Sequence, residues 1–73
     1  MTAEQEQKIT ARTARHVRIM WTRGAKQITV VVDRNGWAVA HYAAEGRYWC
    51  SYFDRTGACF TTSGAEARGK KNP

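Results

Sequence analysis

From His16 onward the chain alternates between apolar and polar positions. In HVRIMW (16–21), Val17, Ile19 and Trp21 are separated by Arg18 and Met20. In QITVVVD (27–33), Ile28, Val30 and Val32 fall on one side, and Thr29 and Val31 on the other. GWAVAHYA (36–43) and GRYWCSYF (46–53) alternate in the same way, and GACFTT (57–62) has the length of a short last strand. A period of two carried by β-branched and aromatic residues is the signature of a half-buried strand. Turn residues punctuate it near 23–25, 34–36, 44–46 and 54–57.

The segment before this is different. TAEQEQKITARTA (2–14) has helix-forming composition. Thr2 with Gln5 fits a capping box, and Glu4 and Glu6 sit where a helix N-terminus favours negative charge. Ile9 is its one large apolar residue, so a helix over 3–14 buries little by itself. The pattern predicts an α+β, mainly β chain: a short N-terminal helix, then an antiparallel meander of four or five strands. A small SH3- or Sm-like barrel suits the same order of elements. The expected division is a helical arm over 1–16, a sheet over 17–62, and a loose, small, polar and basic tail, SGAEARGKKNP, over 63–73.

Charge narrows the functional classes. The 73 residues carry 12 Lys and Arg against 6 Asp and Glu, a net charge of +6. From Lys8 to Lys26 the basic residues Lys8, Arg12, Arg15, Arg18, Arg23 and Lys26 follow one another with no acid between them. Such a run favours nucleic acid, a nucleoprotein or an acidic protein surface. No apolar run approaches the ~20 residues of a membrane-spanning helix. MTAEQEQKIT lacks the apolar stretch of a signal peptide, so the expected site is the cytoplasm, with no membrane partner. Cys50 and Cys59 are too few for a disulfide framework and read as free thiols. His16, His41, Cys50, Cys59, Asp33, Asp54, Glu45 and Ser51 form no metal-ligand spacing, nucleophile elbow or paired-carboxylate motif. A non-enzymatic protein without metal or cofactor is expected.

The tetrapeptide Asp-Arg-X-Gly occurs twice, at 33–36 and 54–57. Asp first and Gly fourth suit a type I turn followed by a left-handed residue; for the first copy, Asn35-Gly36 also suits a type I′ turn. Turn chemistry accounts for Asp and Gly but leaves Arg34 and Arg55 open. In a meander, alternate turns lie at one end of the sheet. Arg34 and Arg55 therefore share an end, joined there by Arg15 and His16 if a first strand begins at residue 17. Arg23, Lys26 and Arg47 fall at the other end. Lys8, Arg12 and Arg15 lie on one side of the helix by their spacing, which extends the basic rim onto it.

Two-residue loops at Asn35-Gly36 and Glu45-Gly46 pair Val32 with Val39, Val30 with His41, and His41 with Cys50. One face then reads Ile28, Val30, Val32, Val39, His41, Cys50, Tyr52; the other reads Val31, Ala38, Ala40, Tyr42, Trp49, Phe53. A different turn length would slip a strand and exchange its faces. Tyr42, Trp49 and Phe53 suit either a core or a platform for stacked bases. One helix cannot cover both faces, so the sheet either curls or meets a partner, a second copy of the chain included. A loop at Arg55-Thr56 makes Cys50 and Cys59 diagonal neighbours on one face, within reach of bridging on oxidation.

The hairpin NGWAVAHYAAEGRYWC (35–50), with its Asn-Gly, Trp-led strand, Gly-bearing turn and following Arg, Trp and Cys, resembles one in the anti-CRISPR proteins, small phage-encoded inhibitors of type I CRISPR complexes. The resemblance implies a non-enzymatic inhibitor that binds a CRISPR effector protein and blocks its nucleic-acid site. The basic charge excludes mimicry of DNA. The expectation is a small basic protein that contacts nucleic acid, RNA included, or a ribonucleoprotein through its arginine-rich surface. A phage or mobile-element inhibitor of a CRISPR effector is the alternative.

Overall fold

The computed structural model describes residues 1–66. One helix, α1 (Ala3–Met20), precedes four strands, β1 (Lys26–Val32), β2 (Ala38–Ala44), β3 (Arg47–Phe53) and β4 (Cys59–Glu66). The strands form one antiparallel sheet in the order β1-β2-β3-β4. This is the expected α+β, mainly β meander. Among the described residues the sheet is open, with β1 and β4 as edges. Residues 63–66, expected in the tail, extend β4 beyond the expected sheet boundary at 62. The rest of that expected tail, 67–73, lies outside the described residues.

The capping box forms as read: Gln5 N–H donates to Thr2 Oγ1 at 3.1 Å, and Thr2 N–H to Gln5 Oε1 at 2.9 Å. The helix runs further than expected. Residues 16–20, read as the start of a strand, are its last turn. Two periodicities overlap there: Val17, Ile19 and Trp21 alternate, but Ile9, Thr13, Val17 and Trp21 also recur every four residues. The helix wins because the second set meets the sheet: Thr13 and Val17 are buried, Ile9 and Trp21 half-buried, and Ile19 is 71% exposed. Thr13, polar by type, hid that stripe.

α1 packs over β1 and β2. On that side β2 presents Ala38, Ala40, Tyr42 and Ala44, all buried, and β3 presents Phe53, 1% exposed. Three alanines on the central strand let the helix backbone approach closely; Val17 fills the contact. Trp21, just past the helix, closes one end of this layer, its ring centroid 4.7 Å from that of Trp49. Trp49 in turn packs against Gly64, where a Cβ would stand 2.6 Å from the ring.

Both Asp-Arg-X-Gly segments make the same three-residue loop. Asp33 N–H donates to Trp37 O at 2.9 Å and Gly36 N–H to Asp33 O at 3.1 Å; Asp54 N–H donates to Ala58 O at 3.0 Å and Gly57 N–H to Asp54 O at 2.9 Å. Gly36 (φ 87°) and Gly57 (φ 95°) take the left-handed position that the loop requires. The first loop is therefore a type I turn with a left-handed glycine, and the two-residue alternative is corrected. β1 slips by one accordingly: Val31 pairs with Val39, Val30 with Ala40 and Thr29 with His41. Glu45-Gly46 does form a two-residue loop, with both residues at positive φ, and His41–Cys50 and Val39–Tyr52 pair as read. At the second loop Phe53 pairs with Cys59, Tyr52 with Thr61 and Cys50 with Ser63, with Phe60 as the extra residue of a bulge. Cys59 packs on the core side, and Cys50, in register with His41, lies on the opposite face, so the diagonal neighbourhood of the two free thiols is overturned.

Candidate nucleic-acid interface

α1 crosses the end of the sheet where the two Asp-Arg-X-Gly loops lie. His16 Nδ1 is 3.2 Å from Gly57 O; since a carbonyl can only accept, Nδ1 carries the proton. The His16 ring rests against Phe53 with centroids 5.1 Å apart. One turn earlier, Arg12 lies over Gly57, and Ile9 approaches Gly36. The loops and the helix thus hold each other, and their cations converge. Lys8, Arg12, Arg34 and Arg55 line an open concavity of about 510 Å³, with Met1, Gln5, Ile9, Asn35 and Gly36 completing its wall. Among the described residues, no acidic side chain lines it. Glu6 and Asp33 stand on a neighbouring concavity that shares Arg34 and Met1.

The loop aspartates are occupied with their own turns. Asp33 Oδ1 accepts from the N–H groups of Asn35 (2.8 Å) and Trp37 (3.0 Å). Asp54 Oδ1 accepts from the Thr56 hydroxyl (2.6 Å) and the N–H groups of Thr56 (2.9 Å) and Ala58 (3.1 Å). The Thr56 hydroxyl above all, with the loop N–H groups, holds the Asp54 carboxyl below its usual range. The Asp fixes the loop, the Gly permits it, and the Arg at the next position projects from it. Two such loops set two guanidinium groups at one end of the sheet, facing two more cations on successive turns of α1.

The expected basic rim is therefore present in part. Lys8, Arg12, Arg34 and Arg55 come together. Arg15 is exposed on α1 but does not line the concavity. Arg18 is exposed in the last helical turn, where a cation suits the helix C-terminus. Arg23 and Lys26 line a different concavity at the far end with Glu45 and Gly46; Arg47 does not line it.

Of the two readings of Tyr42, Trp49 and Phe53, core and stacking platform, the core is the one found. Tyr42 (3% exposed) and Phe53 (1%) are core, and Trp49 is half-buried beneath the same layer. Trp21 Nε1–H donates to Tyr42 Oη (2.8 Å), which pairs with Ser51 Oγ (2.7 Å), and Ser51 Oγ pairs with Thr62 Oγ1 (2.9 Å). Trp21 and Tyr42 are thereby tied into a hydrogen-bonded chain from the helix end to β4. The aromatics that remain open are Trp37 (42%), Tyr48 (51%), Tyr52 (38%) and Phe60 (55%), on the other face. His41 is exposed there. A three-residue loop at the first Asp-Arg-X-Gly segment would have given β1 its right face. Gln5, Ile9 and Gly36, which wall the cation site, carried no chemical signal of their own.

Among the described residues, no group of three or more His, Cys, Asp and Glu is placed to hold a metal ion, and no helix is long and apolar enough to cross a membrane. No protein-family model, curated protein or solved structure matches this chain.

Proposed function

We propose that this protein is a small, non-enzymatic module that binds the phosphate backbone of nucleic acid through Lys8, Arg12, Arg34 and Arg55. The observation that carries the reading is their convergence on one concavity without acidic lining among the described residues, built from two loops of the same hydrogen-bonded form and two turns of one helix. Four cations fixed around one hollow create a field for a polyanion that scattered surface charges do not. Arginine forks suit bidentate contact with phosphate oxygens. Contacts from these four cations to phosphate carry no sequence information, so the expected binding is general in sequence.

The test is fluorescence anisotropy with random-sequence single- and double-stranded DNA and RNA at several salt concentrations. Binding should weaken steeply with salt, with a log–log slope of about 0.9 per duplex phosphate contacted. Replacing Lys8, Arg12, Arg34 and Arg55 together by Ala should lower affinity by orders of magnitude without unfolding the chain, since all four side chains are exposed. Replacing Arg23 and Lys26, at the far end, should have a small effect. Feeble binding that ignores salt would overturn this reading and leave the effector-binding inhibitor in its place.

A further inference from the structure

Among the described residues, nothing covers the face of the sheet turned away from α1. Its outer row reads Val31, Val39, Tyr52, Thr61 and its middle row Thr29, His41, Cys50, Ser63 across the four strands. Val31 is 58% exposed, Tyr52 38% and Tyr48 51%; Trp37 and Phe60 stack edge-to-face at 5.4 Å and extend the patch. In these two rows there is no Lys, Arg, Asp or Glu, although the chain holds 12 basic and 6 acidic residues. Lys26, paired with Ala43, marks one corner.

We propose that this face is the interface of a homodimer, two sheets packed face to face with both helices outward. Charge selects the occupant. A nucleic acid lying here would find aromatic rings for its bases to stack on but no cations in these two rows for its phosphates, which on the proposed function are met at the helix side of the loops. A charged protein would find no complement. A second copy of this chain needs neither: a two-fold interface places a surface against itself, and an uncharged face lets two chains of net charge +6 meet without opposing like charges. Size fits as well. Four strands ~4.8 Å apart and roughly seven residues long at ~3.3 Å each give a footprint on the order of 440 Å² in projection. The accessible area of a face studded with aromatic side chains exceeds its projection, which brings it toward the ~800 Å² each partner gives to a stable interface. The need is visible on the other side, where the core holds three alanines among six buried hydrophobic residues. A chain this short with so thin a core gains from association. The middle row puts His41 and Cys50, on the two central strands, at the centre of the contact.

Sedimentation equilibrium of the full chain at micromolar concentration should give twice the 8.3 kDa chain mass. Val31→Glu and Tyr52→Glu, each at an exposed position, should keep the monomer's circular-dichroism spectrum and raise the dimer dissociation constant by about 100-fold or more, because each buries an unpaired carboxylate in the contact. A short bis-maleimide should link two copies through Cys50, so Cys59→Ser keeps the crosslink and Cys50→Ser loses it. A chain that stays monomeric overturns the proposal, whether it is inert, binds neutral phosphatidylcholine vesicles, or shows single-stranded DNA quenching Trp37. A dimer that survives both Glu variants also overturns it, since the contact then lies along a sheet edge or the helix.

Discussion

Arg12 and Gly57 touch across 45 residues of sequence: a Cβ on Gly57 would stand 2.9 Å from Arg12 Nε. The glycine that lets the second loop close also makes room for a cation of the proposed binding site. Gly57→Ala therefore has two consequences. The positive φ of 95° costs about 1–2 kcal/mol for a residue with a Cβ, and Arg12 is pushed off the loop. Gly24→Ala separates the two effects, since Gly24 has φ 94° with nothing within 4 Å of its Cβ position. Both variants should lower the melting temperature, and only Gly57→Ala should also weaken nucleic-acid binding at fixed salt.

The second loop gives a pH dependence. Asp54 is held below its ordinary value of 3.8, chiefly by the Thr56 hydroxyl. Since the folded-state value is lower than the unfolded one, the stabilisation is present above pH 3.8 and is lost as pH falls through the folded value. Thr56→Val removes the largest cause. The melting temperature of the variant should fall below that of the parent at neutral pH, and the gap should narrow on acidification through this range. A gap that is constant from neutral to strongly acidic pH would show that the Thr56 hydroxyl acts independently of Asp54 ionisation.

Trp49 and Gly64 make a sharper steric test. The added Cβ of Gly64→Ala would lie 2.6 Å from Trp49 Cε3 and Cζ3, which are ring atoms with no flexible end to swing away. Trp49 is further held by Nε1–H donation to Ala44 O at 2.9 Å and by the Trp21 ring. Overpacking of this kind costs about 1–3 kcal/mol. The measurement is urea unfolding, with the tryptophan emission reporting displacement of the ring. This glycine is needed for close approach and has no positive φ.

Much of the fold was legible because its signals were local. The capping box, the β-branched runs and the glycine-bearing turns each lie within a few residues of one another. The positions of Arg34 and Arg55 at one end followed from topology alone, since alternate turns of a meander share an end. The faces were lost for a physical reason: strand register has period two, so reading Asn35-Gly36 as a two-residue loop turned β1 over relative to β2. The helix end was lost because Thr13 completes the stripe from Ile9 to Trp21 yet is polar by type. Arg12 over Gly57 and His16 on its carbonyl are tertiary, and no spacing announces them.

Thr13 supplies the last prediction, and its sign is unusual. The residue is 2% exposed, and its Oγ1 is buried with no hydrogen-bond partner among the described residues. A hydroxyl removed from water without a new partner opposes folding by about 1–3 kcal/mol. Valine keeps the β-branched shape and close to the same helix propensity, and it replaces the hydroxyl by a methyl of similar size. Thr13→Val should therefore raise the free energy of unfolding by about 1 kcal/mol, read from chemical denaturation, against the usual direction for a buried substitution. Thr13→Ser is the counter-test: it keeps the unpartnered hydroxyl and leaves a methyl-sized void, so it should lower stability. If valine destabilises and serine does not, the hydroxyl has a partner in solution, and the packing of α1 on β2 is wetter than described. If both orders hold as stated, this turn of the helix is held by shape alone, between Ile9 and Val17.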